Sequence, residues 1–291
     1  MLRQKGASKM KVGVLPITDA DLDDVCDFLQ RQMHGKPNAM QWRQALSQPW
    51  LAERRNHGYK MVEGNLLVGV MAVIYSQRIV EGQQELIANL ASWRVSEAHA
   101  EISMEMLKSL LQQPNLTVVA TNPSHGARRI YQALGFQMVP LLRRVLLPHP
   151  GWGDTAKMLE GADALAVLPE AQQLAWREHA SFPWLHQAVL QDLSGGKPCH
   201  LVWQRGMWKR LPAAMLLHIG AQHTLLEHHH SFSRWLLRQG LFSAHVEQRM
   251  LPALRVGTLE DYGIAMAFLS ERLSPAQLSY LYTEQAALPW E

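Results

Sequence analysis

NLASWRVSEAHAEISMEML, residues 89–107, reads as an apolar strand, a short polar turn and an amphipathic helix in direct succession. A strand that runs straight into a helix leaves unpaired backbone N–H groups and the positive end of the helix dipole at one spot, where phosphorylated ligands are commonly held. Residues 89–107 contain no glycine, so the element order offers such a cradle while the side chains restrict it. Ser96 stands at the cap position with His99 at the third helical position in place of the usual Glu. Glu97, Glu101 and Glu105 recur at i, i+4 and i+8 and so form the solvent side, while Ile102, Met106, Leu107, Leu110 and Leu111 share the apolar face.

Outward from this stretch, the same rules assign the neighbouring elements. KVGVLPI (11–17) reads as a strand, and residues 19–33 as a helix that starts on an Asp cap with acidic residues in its first turn. MQWRQALSQ (40–48) is a second, shorter helix. GYKMVEG and LLVGVMAVIYSQ are strands joined at Gly64-Asn65, a dipeptide suited to a tight hairpin turn, and residues 84–95 form a third strand. Downstream, LTVVAT is a strand, SHGARRIYQALG (124–135) a helix closing on Gly135, and FQMVPLLRRVLLP a final strand. This order specifies an α/β fold with a mixed sheet flanked by helices.

PHPGWGD (148–154), rich in Pro and Gly, divides a domain 1–147 from a smaller α/β domain 148–291. Beyond it, residues 168–193 read as helical, 197–205 and 210–220 as strands, 223–240 as a helix ended by Gly240, 241–251 as a strand and 258–288 as mostly helical. MLKSLLQQPNLTVVAT (106–121) and SRWLLRQGLFSAHVE (233–247) share a pattern, an apolar helix ending in LL-x-Q, a turn and a β-rich strand. That match reads as a degenerate repeat of the first half, with a chance likeness between two amphipathic helix-to-strand units as the alternative.

With 47% apolar and 18% charged residues the composition is that of a globular chain, and its 291 residues favour two domains. The net charge of +3 is dispersed without a basic block, so nucleic acid is not an expected partner. Cys26 and Cys199, the two cysteines, are far apart in apolar contexts and read as reduced and buried, which points to the cytoplasm. No run approaches the ~18 apolar residues of a membrane span, so neither export nor membrane insertion is expected.

Three pieces of residues 11–147 together resemble the GNAT-type N-acyltransferase superfamily: the hairpin VEGNLLVGVMAV, the strand-to-helix passage from Leu86 to Leu111, and SHGARRIYQALGF. In the last, Ala127, Tyr131, Gly135 and Phe136 match the family spacing N-x-x-A-x-x-x-Y-x-x-x-G-F, with Ser124 where the family has Asn. The resemblance implies that the strand over 84–95 pairs its backbone with the pantetheine arm of acetyl-CoA or another acyl-CoA. It thereby makes Ser92, Trp93, Arg94, Val95, Ser103 and Ser124 candidate cofactor-binding residues, with no metal required. It also implies that the following turn wraps the pyrophosphate. The family's Arg and two Gly fall at about Ala98, Glu101 and Ser103, none retained. An inward Glu101 would repel a phosphate by about 4 kcal/mol at ~4 Å and an effective dielectric near 20, so the carboxylate has to face solvent. The strand and Y-x-x-x-G-F helix also resemble a divergent subgroup associated with glycan synthesis, which implies a small-molecule amine acceptor such as an amino sugar.

By the same resemblance Tyr131 takes the place of the tyrosine that protonates the leaving thiolate, with a packed helix tyrosine as the alternative. Glu85, Glu63 and His99 are the groups available as a base, Glu85 first, and a water chain is the other route. Arg94 is placed to reach a phosphate that the missing arginine no longer holds, and Trp93 belongs to the core or the acyl pocket. Within LLEHHHSF (225–232), His228, His229 and His230 point about 100° apart on a helix and do not converge on one ion. His223 and Glu227 do have i, i+4 spacing, but no supporting metal motif accompanies them. The expected activity is direct acyl transfer from acyl-CoA to an amine, the second half supplying a substrate wall or a homodimer surface. The alternative is a binding or scaffold protein that has lost pyrophosphate binding.

Overall fold

The computed structural model describes residues 12–47, 50, 56–149, 151 and 155–289, in two compact units that meet at Leu116 and Thr117. In the first unit β1 (Val12–Pro16), α1 (Leu22–Gln32) and α2 (Ala39–Leu46) precede the strands β2 (Gly58–Glu63), β3 (Leu66–Val80) and β4 (Gln83–Val95). After β4 come a 3-10 turn (Glu97–Ile102) and α3 (Met104–Leu111). The strands pair in the order β1-β2-β3-β4, antiparallel throughout. The β2–β3 turn uses Gly64 at φ 61°, as its Gly-Asn pair requires. Gly58 is more constrained: its φ is +106° and an added Cβ would stand 2.0 Å from the Met71 carbonyl oxygen, so no other residue fits.

The start of α1 is preceded by a 3-10 turn (Asp19–Asp21) capped by Thr18, whose N–H donates to the Asp21 carboxylate at 2.9 Å, and Asp21 in turn stands at the cap position of α1 without a side-chain cap bond. α2 is capped reciprocally by Asn38 and Gln41, each bond 2.9 Å. The helix after β4 is split, so Ile102 is 42% exposed while Met106, Leu107 and Leu110 are fully buried. The tighter 3-10 winding rotates Ile102 away from the face that α3 buries.

The second unit contains β5 (Leu116–Ala120), α4 (His125–Ala133), β6 (Gln137–Leu146), β7 (Ala156–Leu159), α5 (Gly161–Val167), α6 (Glu170–His179) and β8 (Leu185–Asp192). It continues with β9 (Cys199–Trp208), β10 (Leu211–Ile219), α7 (Gln222–Glu227), α8 (His229–Arg238), β11 (Ser243–Glu247), β12 (Thr258–Leu269) and α9 (Glu284–Ala287). Two expectations are corrected here. Residues 185–192 are strand β8 rather than the end of a helix, and 258–269 are strand β12 rather than helical. Both are rich in Ala, Leu, Met or Gln, whose helical preference is overridden once each strand pairs with neighbours. The helix expected over 223–240 is also interrupted, at His228, whose φ of −108° and ψ of 33° are not helical.

The second unit's strands lie in the order β5-β12-β6-β11-β10-β9-β8-β7. From β1 to β6 the chain runs strand, two helices, three strands, helix, strand, helix, strand. From β7 to β12 it repeats that series, with α7 and α8 at the place of α3 and a 3-10 turn (Gln248–Met250) at the place of α4. β12 inserts between β5 and β6, and β6 pairs with β11, so each half places its last strand beside the other half's fifth. This exchange ties β5, α4 and β6 to the C-terminal half, which is why compactness divides the chain before β5 and not at the linker near 148. Trp203, Leu216, Phe232, Trp235, Leu236 and Val246 belong to the main apolar cluster of this unit. Cys26 and Cys199 are buried free thiols, each pushed up to about 12 by burial. No helix among the described residues is long and apolar enough to cross a membrane.

Candidate functional site

Strand β4 carries a bulge. Ala72 pairs with Ser92 and Val73 with Leu90, which leaves Ala91 unopposed on β3. Such an insertion bends a strand and turns the residues beyond it, here Ser92, Trp93, Arg94 and Val95, onto a new course. The fourth strand of the second half has the same device: Leu216 pairs with Trp203 and His218 with Val202, leaving Leu217 unopposed in β10. There the parallel neighbour β11 stays in register with β10 only over Ala213–Met215 and Ser243–His245.

Beyond the first bulge, Ser92 is buried, Trp93 and Val95 are half-buried, and Arg94 is exposed with no hydrogen bond or ion pair among the described residues. The turn after Val95 is occupied by its own side chains. Ser96 Oγ lies 2.7 Å from His99 Nδ1, and His99 Nε2 lies 3.3 Å from Glu63 Oε2, which joins the expected cap and two of the expected bases in one chain. Ser96 thus engages the His99 ring rather than a backbone N–H of the turn. Ser103 donates its hydroxyl to the Ala100 carbonyl at 2.6 Å. Glu97, Glu101 and Glu105 are exposed, as the helical spacing requires. Glu85 is 2% exposed on β4, opposite Arg78 in register.

In the second unit Ser124 caps α4, accepting from the Ala127 N–H at 3.3 Å, and Gly135 at φ 85° ends the helix. Tyr131 is 2% exposed and its ring centroid lies 4.9 Å from that of Phe136. Burial, with a smaller effect from the nearby Glu284 charge, raises the Tyr131 phenol above its ordinary range. Glu284, itself 4% exposed, accepts the Thr121 hydroxyl, and Gln285 Nε2 donates to Thr121 Oγ1 at 3.0 Å. Sequence reasoning missed this cluster. Its signal was a lone Glu within the apolar segment from Tyr280 to Leu288, an expensive residue to bury unless it is used.

Beside the cluster lies a cavity of about 310 Å³, lined among others by Thr121, Arg143, His245, Glu247, Tyr262 and Gln285. A second, apolar cavity of about 570 Å³ has Val145, Leu225, Phe232 and Leu254 in its lining. The histidine run does not converge: His228 faces Asp192 at 3.4 Å, His229 the Leu226 carbonyl at 3.1 Å and His230 the His149 carbonyl at 2.8 Å. His223 and Glu227 pair at 3.2 Å on an exposed surface, and no metal-holding group occurs among the described residues.

No family model and no curated protein sequence matches the chain. Among solved structures, the chain is similar to a GCN5-related N-acetyltransferase from Anabaena variabilis, at 10% identity and a TM-score of 0.62, over 89% of this chain and 72% of that one. A GCN5-related N-acetyltransferase from Kribbella flavida aligns at 11% identity and a TM-score of 0.54, over 91% and 72% of the two chains. A chain from Pyrococcus horikoshii classed with the acetyltransferases aligns at 9% identity and a TM-score of 0.55, over 99% of both. The fold is therefore that of the GNAT acyltransferases, as the Y-x-x-x-G-F helix and the strand-to-helix passage suggested.

Proposed function

We propose that the protein is an acyl-CoA-dependent N-acyltransferase that passes an acyl group directly to a small-molecule amine. The bulge at Ala91 supports this reading, because it breaks the regular ladder of the strand over which a pantetheine arm would lie, just ahead of Ser92 to Val95, which stay paired with Gly69 to Ala72. Arg94, exposed and uncommitted, supplies the cation for the pyrophosphate, and Glu97 and Glu101 stay in solvent where they do not repel it.

In the reaction the amine nitrogen attacks the thioester carbonyl, the C–S bond breaks and the amine's proton leaves. Glu284 is the base, in place of Glu85, the carboxylate that the sequence put first. Tyr131 stays protonated and donates a hydrogen bond to the sulfur. Its raised pKa makes full proton transfer to a thiolate of pKa ~8.5 unfavourable, so the departing sulfur is stabilised rather than neutralised by it.

The test is thiol release from acetyl-CoA in the presence of primary amines. Amine-dependent release is expected, and its absence across amines with acetyl-CoA bound would leave a binding module. That second reading is favoured by one observation: the 96–103 turn, closed on itself by the Ser96–His99–Glu63 chain and by Ser103, offers a pyrophosphate less open backbone than a glycine turn would.

A further inference from the structure

The lining of the 310 Å³ cavity contains two side chains with polar groups that have no hydrogen-bond partner among the described residues, Arg143 and His245. Arg143 on β6 is half-buried, sits 5.2 Å over the Tyr262 ring, and makes no hydrogen bond or ion pair among the described residues. The neighbouring charges are committed elsewhere. Glu247 is held by Arg249 through two bonds of 2.8 Å, Glu260 accepts the Tyr262 hydroxyl, and Arg205 donates to the Gln239 carbonyl at 2.8 Å. His245 on β11 is 2% exposed; its Nε2 meets Ser243 Oγ at 3.1 Å, and its Nδ1 is buried with no hydrogen-bond partner among the described residues. With the Ser243 hydroxyl donating to Nε2, Nδ1 would carry the ring's own N–H. Burial together with the Arg143 charge lowers His245 to about 4, so the ring is a neutral donor at pH 7. An unpaired guanidinium in the lining of a small cavity, beside a buried ring nitrogen without a partner, suits an oxyanion.

Thr121 and Gln285, which hold Glu284, line the same cavity. Ala120 is in register with Ala267 and through it with Met138, whereas Arg143 lies at the level of Glu247 and Glu260. The two levels are thus separated by about 17 Å of strand, part of which the Arg143 side chain spans. We propose that this cavity is the acceptor site and takes a small primary amine carrying a carboxylate or phosphate several bonds away, the anion on Arg143 and His245 and the amine towards Glu284. The volume is at the low end for ligand sites and suits a metabolite-sized acceptor. An α-amino acid is too short to reach both ends. This assignment rests on the acyltransferase reading.

The test is calorimetric titration of the full chain with 6-aminohexanoate and glucosamine 6-phosphate, against hexylamine and glucosamine as their anion-free counterparts. At least one anionic amine is expected to bind roughly ten- to a hundredfold more tightly than its counterpart, and which one does so identifies the anion. Arg143→Gln should abolish the difference and Arg143→Lys restore part of it. Equal binding of the counterparts, no binding of either anionic amine at millimolar concentration, or a folded Arg143→Gln that still discriminates would overturn the proposal. The probe comparison on the unaltered chain does not depend on the variants folding. A parallel titration with acetyl-CoA separates the two claims: discrimination without acetyl-CoA binding supports the anion site and sinks acyl transfer, while acetyl-CoA binding without discrimination does the reverse.

Discussion

Tyr131 and Glu284 illustrate what burial does to two ionisable groups held near one another. Burial, and to a smaller extent the Glu284 charge, raise the cost of ionising the phenol, so it keeps its proton, while the buried carboxylate accepts the Thr121 hydroxyl. Tyr131→Phe should therefore lower kcat about 100-fold with little change in acyl-CoA affinity, measured by steady-state kinetics beside a titration. Unchanged turnover would remove Tyr131 from the mechanism. Two buried imidazoles set a pH limit on stability. His200, held by Gln187 at 2.9 Å, is lowered to about 3, and His245 to about 4, both mainly by burial. Since the unfolded histidines titrate near 6.5, their contribution is complete above that pH and is lost as pH falls through 6.5 towards 4 and 3. Urea midpoints should decline over this window, and His245→Phe should flatten the upper part of the decline.

Among the elements, β4 with its bulge was legible as a strand but not as a bulged one, because Ala91 has no residue type that marks it as unopposed. Deleting Ala91 should restore a regular ladder, with Ser92 still opposite Ala72, and remove the bend ahead of Ser92 to Val95, weakening acyl-CoA binding while the fold survives. Retained binding in a folded deletion variant, read by calorimetry and circular dichroism, would contradict the bulge's role. Gly58→Ala tests the β2–β3 register directly: with the Cβ 2.0 Å from a carbonyl oxygen, it should cost more than about 2 kcal/mol in chemical denaturation. The hairpin at Gly64-Asn65 and the stop at Gly135 were readable because local sterics fix them. β8 and β12 were not. Neither shows the alternation of a half-buried strand, and their helix-forming residues are overruled by strand pairing, of β8 with the adjoining β9 and of β12 with the distant β6.

For the molecule as a whole, the repeated element order and the exchanged strands β6 and β12 show how a second half without the family motif would take part in the proposed chemistry. Its final segment brings Glu284 to Tyr131, and its sheet supplies the cavity with Arg143 and His245. The Tyr131 motif was visible from spacing alone. Its partners were not, since they meet it only through the exchange, across more than half the sequence. All of this matters for function only if the strand-to-helix passage at 89–107 still accommodates the nucleotide end of its ligand. The direct measurement is isothermal titration of the full chain with acetyl-CoA. Binding that weakens when Arg94 is changed to Gln and as salt is raised is predicted, because the phosphate contact is a charge pair at an exposed site. No heat of binding at millimolar acetyl-CoA, with no thermal shift where a ligand at 100 times its Kd would add about 2.7 kcal/mol, would contradict the account.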